Sequence, residues 1–430
     1  MLCTRRSFVR GAGAGMASAA MVGTLAACHK GRGDANSDAP SADAQGGQAG
    51  NEADDSAAGS SAPATDGISK LIAGMTLKQK AAQLLMPTPE GLLGVLGSDD
   101  GAADSYGGDG VTAVGEDLKQ VLAQYPVGGF AIFGNNIVGA DQTRTLLADL
   151  GSATKAVGAN IAPLLAVDEE GGPLVARIAN SGCFDVERFP NMAEVGAEGD
   201  TSVATQVGQT IGSYLHEIGF TVDCAPVADV LTNAENTVIG TRSFGSDPEL
   251  VASMVSAEVE GFSGTGVASC AKHFPGHGNT AEDSHTGKAI TYKTKDELEE
   301  CELVPFKAAI KAGVPMIMVG HISVPEVTGD EVPATLSPVI IDGILRHELG
   351  FDGVVISDAM NMAAIGNDYH SNDAAALFFK AGGDIMLMPN SLTAAHQGIL
   401  DAVADGTITE DRLDQSLRRV LALKRDCGLL

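Results

Sequence analysis

From about residue 67 the chain alternates between short runs of consecutive apolar residues and longer stretches with helical spacing. The runs are Gln83–Met86, Gly128–Phe133, Pro163–Val167, Thr221–Ala225, Val267–Ala271, Pro315–Val319, Gly353–Ile356 and Asp384–Met388. Each is continuous rather than alternating, the pattern of strands covered on both faces. Between them lie amphipathic segments, among them Thr205–Ile218, Lys295–Ala312 and Pro338–Leu349, with Gly219, Gly313 and Gly350 placed to close them. A last segment, Thr409–Arg425, opens on a Thr cap and ends on Lys424 and Arg425, charges that favour a helix C-terminus. Eight strands in series with helical crossovers predict an α/β fold, a single (β/α)8 TIM-like barrel over residues 67–430. Residues 89–115, Gly-rich and acidic with no basic residue, break the pattern and read as an inserted surface loop.

The stretch ahead of the barrel has a different character. Arg5-Arg6-Ser7-Phe8 precedes a small-residue apolar stretch, and Leu25-Ala26-Ala27-Cys28 follows. A charged start, a short apolar region and a small-residue cleavage site describe a secretory signal over residues 1–27. The paired arginines resemble a twin-arginine export signal, and Leu-Ala-Ala-Cys resembles a bacterial lipobox that would make Cys28 the lipidated N-terminus. Residues 28–66 are almost free of large apolar side chains and read as a flexible tether. The chain is therefore expected to be exported and held on the outer face of the bacterial cell membrane by lipid alone.

Composition narrows the partners. With 27 Lys and Arg against 55 Asp and Glu, the formal net charge of −28 disfavours nucleic acid and anionic membrane surfaces. Aromatic residues make up 4% of the chain and Trp is absent, which argues against a long open platform of stacked rings. The cysteines form no Cys-x-x-Cys pair, so neither a zinc ribbon nor a disulfide scaffold is indicated.

Ionisable residues gather where the strands end, the place where barrels of this kind carry their chemistry. The third run is followed by Asp168-Glu169-Glu170-Gly171-Gly172, the fourth by Pro226 and Asp229 and later by Gly240–Gly245 with Arg242. The fifth leads into Lys272-His273-Phe274-Pro275-Gly276-His277-Gly278, the sixth into His321 and the seventh into Ser357-Asp358. The segment Lys272–His285 is the densest. A metal site and acid/base work by an oriented His both use such residues. Asp283-Ser284-His285 favours the second, because an Asp two residues away fixes the tautomer of a His and raises its proton affinity. No His-Glu-x-x-His signature is present, and neither a metal nor a cofactor is called for.

On these residues the chain from about 67 to 430 resembles the single-domain bacterial β-N-acetylglucosaminidases of glycoside hydrolase family 3. The signature is Lys272–Gly278 followed by Thr280 and Asp283-Ser284-His285, supported by Asp168–Gly172, Ala225–Val230, Gly240–Gly245 and Gly353–Met360. The resemblance implies Asp358 as nucleophile and His285 as general acid/base assisted by Asp283. It implies Asp168, Arg177, Arg242, Lys272 and His273 as contacts to the terminal sugar, with His321 lining the same pocket. It further implies a monomer acting on carbohydrate with a terminal N-acetylglucosamine. Phosphorolysis in place of hydrolysis and β-glucosidase specificity are the alternatives within the family. A sugar-binding lipoprotein of two hinged lobes and a metal-dependent barrel hydrolase are the alternatives outside it. Two departures stand out. The stretch between Gly172 and Arg177 is one residue longer than the usual spacing, so Arg177 needs a bulge to reach the sugar, and Asn279 stands where Asp is common.

Overall fold

The structure is a computed structural model that describes residues 64–97, 110–280 and 287–430. The signal, Cys28, the tether to residue 63, the middle of the inserted loop, and Asp283 and His285 lie outside the described residues.

Eight strands form the barrel: β1 (Leu85–Met86), β2 (Gly129–Ala131), β3 (Leu164–Val167), β4 (Val222–Asp223), β5 (Ala268–Phe274), β6 (Met316–Val319), β7 (Val354–Ser357) and β8 (Met386–Leu387). Strands β2 to β7 pair in parallel in chain order, and β8 pairs in parallel with β1. Further backbone hydrogen bonds complete the ring. Gly128 N–H donates to Leu85 O at 3.0 Å between β1 and β2, and Ser357 N–H donates to Ile385 O at 3.0 Å between β7 and β8. Every residue of these strands is buried, which is why the apolar runs are unbroken. At Gly128 the ring closes so tightly that an added Cβ would lie 1.8 Å from the Gln83 carbonyl oxygen.

The helical layer follows from capping and stripe. Helix Thr201–Ile218 starts at Asp200, whose carboxylate accepts the Ser202 N–H at 2.9 Å, and stops at Gly219 with φ 116°. It buries Ala204, Val207, Ile211, Leu215 and Ile218, an i, i+3, i+4 stripe. Its partner is helix Pro248–Phe262, and the two approach backbone to backbone at glycines. A Cβ on Gly208 would lie 2.2 Å from the Glu258 carbonyl, and one on Gly261 the same distance from the Thr205 carbonyl.

Two local expectations are corrected. The helix read over Lys295–Ala312 is two helices, Lys295–Glu300 and Leu303–Lys311. The chain turns between them to bury the Glu302 carboxylate against Lys293. The segment Val339–Glu348 winds as a π-type helix, closed by Leu349 N–H to Ile344 O at 2.9 Å. Lys424 lies in the last turn of helix Glu410–Asp426, as expected, and is fully buried there, its Nζ donating to Gln83 Oε1 at 2.9 Å. The inserted stretch begins as a helix, Pro89–Leu93, capped by Thr88. Its far end is tied back where Glu90 accepts from the Val111 N–H and from Asn136 Nδ2.

Candidate active site

At the C-terminal ends of the strands lies a cavity of about 160 Å³. Asp168, Glu170, Arg177, Arg242, Lys272, His273, His277 and Asp358 line it, with Phe133, Val175, Ile239, Met362 and Met388 supplying apolar wall. Asp168 follows β3 and Asp358 follows β7, four strands apart in a ring of eight, so they face each other across the opening.

One wall is a knot of ion pairs. Glu170 takes a bidentate contact from Arg242, Nε to Oε2 and Nη2 to Oε1 both at 2.7 Å, and a third from Lys272 Nζ at 2.6 Å. Lys272 also donates to Asp168 Oδ1 at 2.8 Å. Burial alone would push the Glu170 carboxyl up, but Arg242 and Lys272 outweigh it and hold it well below the carboxylate range. Burial likewise opposes the charge on Lys272, and Asp168 and Glu170 outweigh it, so the ammonium is kept protonated. Strand β5 delivers this lysine through an irregularity: its pairing with β6 shifts between Ala271 and Phe274, re-aiming Lys272 and His273. The Lys272–His273 peptide is cis, as are Ala225–Pro226 and Phe274–Pro275.

The longer spacing before Arg177 is absorbed in a hairpin. Glu169 and Ala176 form an antiparallel bridge, Glu170 N–H donates to Val175 O at 2.8 Å, and Arg177 N–H donates to Asp168 O at 3.2 Å. Gly171 and Gly172, with φ 74° and 69°, turn the tip. Arg177 thus stands opposite Asp168, Nη2 to Oδ2 at 4.0 Å, with its guanidinium 5.4 Å from the Phe133 ring centroid. Its Nε is buried and has no hydrogen-bond partner among the described residues.

Asp229 organises the loop after β5. It is fully buried and accepts from His273 Nδ1 at 2.7 Å, His273 N–H at 3.2 Å and His277 N–H at 2.7 Å. Burial would raise its pKa, but His273 and His277 hold the carboxyl below its ordinary value. His277 Nδ1 meets Thr280 Oγ1 at 2.7 Å, and burial lowers the pKa of this ring despite the opposing pull of Asp229. Gly278 lets the loop pass: a Cβ there would sit 2.0 Å from the Val230 carbonyl oxygen.

Asp358 extends β7 by one residue. Its N–H donates to Val319 O at 2.9 Å, and its Oδ1 accepts the Ala359 N–H at 2.8 Å, which fixes the carboxylate plane. His321 is placed differently from expectation. It is 1% exposed and stands behind the cavity wall, its Nε2 donating to Ala359 O at 3.0 Å and its Nδ1 meeting Thr335 Oγ1 at 2.8 Å. It braces the peptide next to Asp358 rather than lining the pocket. The structure also adds Glu170 and Asp229 to the site. Both follow strand ends legible in the sequence, but their partners come from other strands.

The family model for the glycosyl hydrolase family 3 N-terminal domain matches residues 76–423. The chain is 34% identical over 338 residues to beta-hexosaminidase A of Pseudoalteromonas piscicida, covering 73% of this chain and 56% of that protein. It is 33% identical over 316 residues to beta-hexosaminidase LpqI of Mycobacterium tuberculosis, covering 72% and 78%. Among solved structures, a glycoside hydrolase family 3 beta-N-acetylglucosaminidase from Paenibacillus sp. matches with a TM-score of 0.73 at 36% identity, covering 83% of this chain and 63% of that one. M. tuberculosis LpqI matches with a TM-score of 0.69 at 30% identity, covering 83% and 96%. The chain therefore spans little more than half of the Pseudoalteromonas protein and less than two thirds of the Paenibacillus one. With a family match over most of its length, and a TIM-like α/β barrel shared with solved members, the chain belongs to glycosyl hydrolase family 3 through its N-terminal domain.

Proposed function

We propose that the chain is a retaining, exo-acting β-N-acetylglucosaminidase that releases terminal N-acetylglucosamine from cell-wall-derived or related glycans. The observation that carries this is the cavity itself, with Asp358 on one side and Asp168, Arg177, Arg242, Lys272 and His273 on the other. Its small volume suits one terminal sugar. The buried Arg177 Nε is a donor for which a bound sugar supplies the acceptor. Relatives named beta-hexosaminidase and beta-N-acetylglucosaminidase support the specificity.

In the proposed reaction an Asp358 oxygen attacks the anomeric carbon while the glycosidic C–O bond breaks. The leaving oxygen takes a proton from His285, which Asp283 keeps protonated. Water then attacks the glycosyl ester, its proton returning to His285, and Asp358 is released. Asp283 and His285 lie outside the described residues, and their roles rest on the resemblance of Asp283-Ser284-His285. The same is true of export through Arg5-Arg6 and of a lipid anchor at Cys28. No described helix is long and apolar enough to cross a membrane.

The test is release of chromophore from a β-N-acetylglucosaminide by wild type and Asp358→Asn, with a β-glucoside in parallel. Loss of turnover in the variant, with the N-acetylglucosaminide preferred by wild type, is expected. Unchanged turnover removes Asp358 as nucleophile, and preference for the glucoside removes the specificity. Sugar phosphate formed only in phosphate buffer would convert the hydrolase reading into a phosphorylase.

A further inference from the structure

We propose that Glu169 and Tyr214 are positioning residues: a buried clamp that holds the Asp168–Arg177 hairpin, and so the groups proposed to bind sugar, against the rigid helical layer. The inference rests on the placement of Asp168 and Arg177 at the sugar. Glu169 is fully buried and points away from the ion-pair knot. Its Oε2 accepts the Ile178 N–H at 2.7 Å, and its Oε1 accepts both the Ala179 N–H at 2.9 Å and the Tyr214 hydroxyl at 2.8 Å. Its own N–H donates to Asp223 Oδ1 at 2.9 Å. One carboxylate therefore grips the two residues that follow Arg177 and joins them to helix Thr201–Ile218.

Packing shares this work, since Ile178 and Ala176 are buried, but it leaves the tip of the hairpin weakly supported. A second cavity, about 270 Å³, lies directly behind the hairpin, bounded by Gly172, Pro173, Ala176 and Asn180 on one side and by Phe189 on the other, with Glu169 and Tyr214 at its wall. The hairpin tip is exposed, Leu174 at 59%. The Arg177 head group has the 4.0 Å approach to Asp168, the Phe133 ring and the charge of Glu169 nearby, with Nε unpartnered among the described residues. The main-chain grip on Ile178 and Ala179 is thus the firm anchor for Arg177. With a cavity behind the hairpin, the hydrogen bonds on Ile178 and Ala179 add to the packing of the buried Ile178 side chain in fixing its position.

Tyr214→Phe deletes one bond from the clamp and keeps the ring. Glu169→Gln keeps an acceptor oxygen but turns an NH2 toward a backbone N–H. The readouts are kcat and KM on the glycoside that wild type hydrolyses best, the calorimetric Kd for the monosaccharide that glycoside releases, and the melting temperature. Tyr214→Phe is expected to raise KM and Kd together by about tenfold with kcat nearly unchanged, the scale of one lost charge-assisted bond. Glu169→Gln is expected to do more, and the double variant no more than Glu169→Gln alone, because Tyr214 acts through Glu169. A lowered melting temperature with wild-type KM and Kd in both variants would reduce the clamp to a stability element and overturn the proposal. If wild type prefers a glycoside other than an N-acetylglucosaminide, the proposed specificity fails while the clamp is still measured. If wild type behaves as proposed and the variants bind normally, the clamp alone fails.

Discussion

Glu170 is the side chain on which the cationic wall of the cavity depends, and Glu170→Gln tests that dependence directly. The carboxylate is 1% exposed and neutralises Arg242, 12% exposed, and Lys272, 3% exposed, through three contacts of 2.6–2.7 Å. Glutamine keeps the volume but offers one acceptor oxygen and sets an NH2 against a guanidinium or an ammonium. Removing one partner of a buried pair costs about 3–5 kcal/mol, because the remaining charge stays desolvated. Lys272 retains Asp168 at 2.8 Å and Arg242 retains the Val238 carbonyl at 3.0 Å. The lower end, about 3 kcal/mol, is therefore expected, a large share of a typical stability of about 5–15 kcal/mol.

The pH dependence gives a second handle on the same group. Burial raises the Glu170 pKa, but Arg242 and Lys272 outweigh it, so the folded value lies below the unfolded one. Its stabilising contribution is then complete above the unfolded carboxyl pKa and is lost as pH falls through the folded value. Urea unfolding of wild type and variant should show the full gap at pH 7 and a narrowing gap below about pH 4.5. KM should rise as Arg242 and Lys272 relax. A variant within about 0.5 kcal/mol of wild type at pH 7, or a gap that is flat on acidification, would refute the electrostatic account.

Three further outcomes are expected. Burial drives the Lys424 pKa down to about 7, so this lysine costs stability below its unfolded pKa, with the full cost, up to about 5 kcal/mol, reached near pH 7 and none left above about pH 10.5. Lys424→Met should raise the melting temperature at pH 7 despite leaving Gln83 Oε1 unpaired, and the gain should shrink toward pH 10; a lower melting temperature at pH 7 would count against it. Gly278→Ala pushes a Cβ to 2.0 Å from the Val230 carbonyl oxygen and should displace His277, lowering kcat/KM by more than about tenfold; wild-type kinetics would show that the loop yields freely. Asp229→Asn exchanges the common acceptor of His273 and His277 for a neutral amide, and KM should rise as His273 turns; an unchanged KM would show that His273 is held by other means.

The barrel was legible because its strands are buried on both faces, so that pattern and position coincide. It became less legible where polar residues are buried. The fifth apolar run ends at Ala271, whereas β5 continues through Lys272 and His273 to Phe274. Those two polar residues are tolerated inside because Asp168, Glu170 and Asp229 meet them from the ends of β3 and β4. No local window shows that pairing. Glu302 and Lys424 show the same limit: each lies in a stretch read as helical, and each is buried against a partner outside its own helix, Lys293 and Gln83. His321 follows the sixth run, but which side of the wall it occupies depends on Thr335 and Ala359, and neither is signalled by motif.

The cavity's charge balance bears on what it can hold. The whole chain carries a formal −28, yet Lys272 and Arg242 are matched against Asp168 and Glu170 within the wall. A ligand with a strong charge of its own would have to break these contacts to be recognised, leaving buried charges uncompensated. A neutral ligand rich in hydroxyls and an amide can instead hydrogen-bond to groups already fixed by one another, with little reorganisation. The same pairing keeps the carboxylates of β3 from adding an unbalanced negative field opposite Asp358, which must itself act as an anion in the proposed reaction. Arg177 completes the argument: its paired neighbours are settled before any ligand arrives, whereas its buried Nε still lacks an acceptor among the described residues, so a neutral sugar oxygen placed there would gain a bond without breaking one.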